Sequence, residues 1–288
     1  MSKSINEPAG VAEQQKQAQP SLRHPVDLTI RQGIAYVTLN RPEKLNALDL
    51  PTFQSLANIS RTLRKNKTIR GVILQGAGTD FCSGLDIKSM MKDKSAMVRL
   101  LKKWLPCSAN LAQQVSSNWR KVPVPVIAVI QGRCWGGGLQ IALGADFRYV
   151  SADATLAVME SKWGLIPDMA GNMVLREILP KDQALRLAMT AEPIDAKQAL
   201  QMHLVTQVSD RPLHDAENLL ATLTTKSPDA LAAIKRLYTR NWQSPDWKML
   251  MMETWYQLKI ITGKNQSLAV KKQLEPDNAK PYQPRKRW

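Results

Sequence analysis

Three short stretches carry residue types from which an acid–base site could be built. The first is "CWGGGLQIALGAD", Cys134 to Asp146, where Gly136, Gly137 and Gly138 run into an apolar, helix-like segment whose first polar side chain is Gln140. A helix start leaves free N–H groups and a partial positive charge, and glycine lets another group approach them closely. The stretch follows the strand-like "VIAVIQG", so strand, glycines and helix together make an anion or oxyanion site. Tight strand–helix packing would also account for the glycines. The G-x-G-x-x-G spacing of a dinucleotide site is absent, and no G-K-[ST] follows. The second stretch, "FCSGLDI", also follows a strand pattern, contains Gly84 and runs into a helix. Two backbone N–H groups from separate loops are what a developing enolate oxygen needs. The third, "VMESKWGLIPD", puts Glu160 and Asp168 in a loop with Gly164 and Pro167, after the last strand. Carboxylates beside an oxyanion hole are the parts for removing a proton α to a carbonyl. A helix cap or a lysine partner would equally explain Asp168.

The elements that must position these residues alternate between strand and helix, which makes the chain α/β. "DLTIRQGIAYVTLN" alternates about Gln32-Gly33 as a hairpin does, "LPTFQSLANISRTLRKN" has helical spacing, and "IRGVILQGAG" is a buried strand ending in a glycine turn. Residues 95–120 read as one long helix, with Pro106 as a potential break. "VPVPVIAVIQG" is a second buried strand, and "DFRYVSADATLAV" gives two more. From about Asp182 the pattern is nearly all helical, with Ser227-Pro228-Asp229 and Ser244-Pro245-Asp246 as matched cap-and-proline helix starts. Residues 1–24 form a polar, Gln-rich arm expected to be disordered, and 276–288 a Pro-rich basic tail expected to be extended. Between them lie a core over 25–205 and a helical region over 206–275.

At 288 residues and 44% apolar composition the chain can bury a sizeable core. It has no run of 18 apolar residues, so no membrane span is expected. Its first residues lack the apolar segment of a secretory signal. Three cysteines without CxxC spacing point to reduced thiols and a cytoplasmic protein, and three scattered histidines give no basis for a metal site. Cys82 has no histidine near it in sequence to make it a nucleophile. The formal charge of +16 implies attraction to polyanions, either phosphate-rich small molecules or nucleic acid. It is spread over "RTLRKNKTIR", "LKKW", "VKKQ" and "PRKRW", and no stripe interleaves aromatics with basic residues, which disfavours nucleic acid.

Taken in order, "LNRPEKLNAL", "GAGTDFCSGLDIKSM", "VPVIAVIQGRCWGGGLQIALGADFRYVSADA", "ESKWGLIPD" and "AMTAEPIDAKQALQMHLV" resemble the enoyl-CoA hydratase/isomerase (crotonase) family over about residues 26–276. The resemblance implies a ββα spiral core and a helical C-terminal region that builds trimers or hexamers. It implies acyl-CoA thioester substrates, with coenzyme A as part of the substrate and no separate cofactor. It assigns the oxyanion hole to the backbone N–H groups of Leu85 and Gly137. Of the two catalytic carboxylate positions of the family's hydratases, the second matches Glu160. The first is Gln140 here, which departs from the hydratase pattern and from the aspartate of dienoyl-CoA isomerases. Asp168 matches an acid of the isomerases. Arg41, Lys44 and Lys88, and less firmly Lys271 or Lys272, fall where CoA phosphates are held. Trp135 and Trp163 flank the catalytic stretches, as acyl-pocket walls or ordinary core. Glutamine cannot exchange a proton at neutral pH, so moving a double bond is favoured over adding water. Hydration remains the alternative, as does a non-catalytic or RNA-binding role on the same fold.

Overall fold

The structure is a computed structural model that describes residues 24–278 and 280–286. The chain opens with β1 (Val26–Arg31), β2 (Ile34–Leu39), α1 (Leu50–Lys65) and β3 (Gly71–Gly76). Then come α2 (Ile87–Lys92), α3 (Lys94–Leu101), α4 (Leu111–Ser117), β4 (Val126–Ile130) and β5 (Arg133–Trp135). The middle of the chain holds α5 (Gly137–Leu143), β6 (Phe147–Val150), β7 (Thr155–Ala157), α6 (Asn172–Ile178) and α7 (Lys181–Thr190). After β8 (Ile194–Asp195), α8 (Ala196–Gln201) and β9 (Gln207–Val208), four helices complete the chain: α9 (Pro212–Thr224), α10 (Pro228–Asn241), α11 (Asp246–Ile261) and α12 (Lys264–Leu274).

Local chemistry explains where these elements start. The β1–β2 hairpin turns on Gln32 and Gly33, whose φ values of 49° and 81° suit a turn that needs left-handed residues at both central positions. Asp49 caps α1 by accepting from the Thr52 N–H, and Asp86 caps α2 through the Ser89 N–H. Asn110 and Gln113 form a reciprocal capping box at the start of α4.

The main sheet has the order β1-β2-β3-β4-β6-β9. β1 runs antiparallel to β2, and every other pair in it is parallel. All five residues of β4 are buried, as expected of a parallel strand covered on both faces. β5, β7 and β8 form a second small sheet. The sheets and α1, α4 and α5 share one hydrophobic core, with Phe53, Trp119, Leu139 and Ile141 among its buried side chains. This is the α/β architecture expected, with a helical C-terminal region.

Several local expectations are corrected. Residues 95–120 are not one helix: α3 ends at Leu101, and α4 starts afresh at Leu111. Pro106 lacks an N–H and disfavours helical backbone before it, while the Asn110 capping box opens a new helix. Strands do not end at β7, since β8 and β9 follow Glu160, and β9 pairs with β6 inside the segment expected to be nearly all helical. Ser244 does not cap α11: its hydroxyl donates to the Asn241 carbonyl, and Pro245 precedes the first helical residue. Ser227 does cap α10, accepting from the Ala230 N–H. The arm expected over 1–24 lies outside the described residues but for His24. Of the tail, Pro276–Asn278 form one short turn, and residues 280–286 have no regular structure but are tied down. Arg285 is buried, and its backbone N–H and guanidinium donate to the Lys67 and Asn66 carbonyls.

Candidate active site

The three glycines at the head of α5 have separate duties. Gly136 has φ 51° and ψ −119°, a conformation closed to residues with a side chain. It turns the chain so that the Gly137 N–H is freed at the first turn of α5. Gly138 lies against the Cys82 backbone, where a Cβ would come within 2.6 Å of the Cys82 carbonyl oxygen. The "FCSG" loop is thereby pressed onto the start of α5. Trp135 N–H donates to the Cys82 carbonyl, and Cys82 N–H to the Arg133 carbonyl, so the two loops are laced together. At Gly84, with φ 98°, a Cβ would stand 3.1 Å from the Trp135 carbonyl oxygen and 3.7 Å from the Gly137 nitrogen.

Leu85 follows at once. Its neighbours on either side are paired with Leu48, which donates to the Gly84 carbonyl and accepts from the Asp86 N–H. The N–H groups of Leu85 and Gly137 have no acceptor among the described residues. Two free donors from adjacent loops are the geometry of an oxyanion hole.

Glu160 closes the site from the third stretch. It begins a short 3₁₀ turn, Glu160–Trp163, rather than lying in an open loop, and the turn is ended by Gly164 at φ 68°. Its carboxylate borders Gly136, where a Cβ would lie 3.7 Å from Glu160 Oε1. Oε1 accepts a hydrogen bond of 2.5 Å from the Gln140 side-chain amide. Oε2 is buried and has no partner among the described residues.

Gln140 is almost wholly buried, and its side-chain oxygen is fully engaged. Its oxygen accepts from the Met169 and Gly171 N–H groups at 2.9 and 3.2 Å. Two backbone donors on the oxygen fix which end of the amide faces Glu160: it must be the NH₂. Gln140 thus offers Glu160 a donor and has no acceptor to spare for water.

Burial raises the Glu160 pKa above its ordinary value; the Gln140 hydrogen bond opposes this, and the charge of Asp168 adds to it. Asp168 belongs to an exposed loop residue, yet partial burial of its carboxyl raises its pKa as well. It neither caps α6, which starts without a side-chain cap, nor pairs with a lysine among the described residues.

The profile of the enoyl-CoA hydratase/isomerase family matches residues 29–275. The chain belongs to this family. Among curated relatives, an (E)-benzylidenesuccinyl-CoA hydratase of Thauera aromatica is 34% identical over 186 residues, which span 64% of this chain and 69% of that protein. The crystal structure of an enoyl-CoA hydratase from Thermoplasma volcanium superposes with a TM-score of 0.77 at 27% identity, covering 87% of this chain and 97% of that one. A Thermobifida fusca protein of 26% identity, solved in complex with CoA, superposes with a TM-score of 0.71 over 83% of this chain and 93% of its own.

Within this family member the other candidate residues fall into different settings. Arg41 is not displayed at the surface. Its guanidinium reaches Asp86 at 3.1 Å and Asp49 at 3.3 Å, and also donates to the Ala47 carbonyl. It ties together the caps of α1 and α2. Lys44 and Lys88 are exposed. Lys272 lies over the Tyr282 ring, near the docked tail, and Lys271 is exposed beside it. Trp135 is half-buried and donates to Thr155, whereas Trp163 at the end of the Glu160–Trp163 turn is exposed, as are Leu165 and Ile166 after it. Cys82 is fully buried, which pushes its thiol up to about 12 and makes it inert. Among the described residues no group of three or more His, Cys, Asp or Glu could hold a metal ion. The Met169 and Gly171 amides and the Asp49 and Asp86 carboxylates had no place in the sequence-level site.

Proposed function

We propose that this enoyl-CoA hydratase/isomerase family member moves a carbon–carbon double bond in an acyl-CoA thioester. The observation that carries the proposal is the hydrogen bonding of Gln140, which leaves Glu160 Oε2 without a partner among the described residues, on a carboxylate that borders Gly136 at the head of α5. Hydration in the two-acid manner needs a second proton-exchanging group on the water, and glutamine cannot serve. A double-bond shift needs one base used twice. Glu160 removes a proton from C2, and the C2–H electron pair enters a dienolate whose oxygen is held by Leu85 and Gly137 N–H. The protonated Glu160 then delivers the proton to C4, and the carbonyl re-forms with the double bond at C2–C3. Asp168, within electrostatic reach of Glu160, is a second acid for the longer shift of a 3,5-diene. The chain's own groups carry these transfers, with CoA as part of the substrate. Because Arg41 is already neutralised by two aspartates, Lys44 and Lys88 are left to meet the CoA phosphates.

A second reading, hydration, draws support from the hydratase names of relatives such as that from Thauera aromatica. Parallel assays on crotonyl-CoA, a 3-enoyl-CoA and a 3,5-dienoyl-CoA separate the two. The expected result is turnover of an unconjugated substrate with slow or no hydration of crotonyl-CoA. Fast hydration by the unaltered protein would overturn the isomerase proposal.

A further inference from the structure

The oxyanion loops leave the carboxyl ends of β3 and β5, and a second concave site lies near the amino ends of β3 and β4. Its walls are the carboxyl end of α1, the Lys121–Pro123 segment that enters β4, and α10. The cavity has a volume of about 920 Å³. Ten of its eighteen lining residues are lysine or arginine, and none is acidic. Two of these cations are already neutralised: Arg120 forks onto Glu177, and Lys235 pairs with Asp146. Arg64, Lys65, Lys121 and Arg240 have no ion-pair partner among the described residues. They also crowd one another. Burial first, and then the charges of Arg64 and Arg240, push the Lys121 pKa down, while burial and Arg236 do the same to Arg240. Two donors in the wall, the Ser117 hydroxyl and Arg285 Nε, are buried without an acceptor among the described residues. The cleft is short of acceptors as well as of negative charge.

Like charges gathered in one concavity repel and destabilise the fold unless a counter-charge sits among them. We propose that this cleft is a second ligand site, distinct from the acyl-CoA site, that takes a compact molecule carrying several phosphate groups. The volume lies within the range of about 300–1,000 Å³ common to small-molecule sites. The lining contains no Trp, Tyr, Phe or His. Single-stranded nucleic acid is held by base stacking on aromatic side chains as much as by charge, so the lining favours a phosphate-dense small anion over RNA.

The probe is inorganic tripolyphosphate, titrated calorimetrically into the full-length protein at about 0.15 M salt, where loose surface attraction is screened. Binding is expected to weaken about tenfold or more in Arg64→Gln/Lys121→Gln/Arg240→Gln, because each substitution removes a charge-assisted donor. The same triple variant is expected to keep its KM for acyl-CoA, and Lys44→Gln/Lys88→Gln to keep its tripolyphosphate binding. Without ligand, the triple variant is expected to melt no lower than the parent, since mutual repulsion is relieved. If it does melt lower, the exposed single change Arg64→Gln carries the binding comparison. Equal binding by parent and variant would overturn the proposal. So would displacement of tripolyphosphate by CoA, which would merge the two sites, or tighter binding of a single-stranded RNA lost in the same variant.

Discussion

Folding strips water from the Glu160 carboxyl and raises its pKa above the unfolded value. A carboxyl shifted in this direction favours the folded state at low pH, and that contribution is lost as pH climbs through the folded pKa. At neutral pH the ionised Glu160, the base of the proposed reaction, therefore works against stability. Glu160→Gln is expected to cut turnover by about 10²–10⁴-fold, yet to melt at the same or a higher temperature than the parent at neutral pH. The difference in melting should close as pH falls below about 4, where both side chains are neutral even when unfolded. Turnover measured beside melting curves over a pH series checks both halves, and a variant with parental turnover would remove Glu160 as the base. Glu160, Gln140 and the glycines could be picked out from the sequence because their side chains, or lack of them, have distinctive chemistry. The Met169 and Gly171 amides that orient Gln140 could not, because every residue but proline carries an N–H and only the fold says which are free.

Among the elements, the joint between α1 and α2 depends on Arg41. One guanidinium joins Asp49, which caps α1, to Asp86, which caps α2 and follows Leu85 directly. In the proposed mechanism Arg41 is thus a positioning residue for the Leu85 N–H. Arg41→Ala leaves two largely buried carboxylates facing each other and is expected to destabilise the protein by about 1–3 kcal/mol. It should lower kcat more than it raises KM, because a displaced Leu85 N–H weakens transition-state binding. Arg41→Lys should restore little, since Nη2 meets both carboxylates while Nη1 donates to the Ala47 carbonyl, and a single ammonium group does not reproduce that fixed fork. Urea unfolding and steady-state kinetics on the two variants test this, and a rise in KM alone would return Arg41 to the role of a CoA contact. That "RPEKLNAL" is a loop could be seen in the sequence; that its Arg41 turns inward could not, because its aspartate partners lie 8 and 45 residues away. The same limit hid β8 and β9, whose two residues are too few to show a period. The long strands and the helices with capping residues were readable for the opposite reason.

Over the whole molecule, charge and apolar surface are distributed in ways the one-dimensional pattern conceals. "RTLRKNKTIR" and the tail look scattered in sequence, yet Arg285 docks on the Asn66 and Lys67 carbonyls and joins Arg61, Arg64, Lys65 and Lys67 at one cleft. The apolar counterpart is α11, where Trp247, Leu250, Met251, Trp255, Leu258 and Ile261 recur at steps of three or four and are each more than half exposed. A single chain rarely leaves so continuous an apolar face in water, and a stripe at helical spacing is the pattern of a helix that packs on another surface. We expect this face to be covered by another copy of the chain, in the trimer or hexamer that family membership implies. Light scattering of the purified protein should then give a multiple of the 32.2 kDa chain mass. Leu250→Glu/Leu258→Glu puts two carboxylates on that face and should shift the mass toward a single chain, with secondary structure retained because both side chains already face solvent. Raising salt from about 0.05 to 0.5 M should not dissociate the parent, since apolar burial is not screened as ion pairs are. A parent protein that already runs as one chain, or dissociates in salt, would show that α11 is not the assembling face.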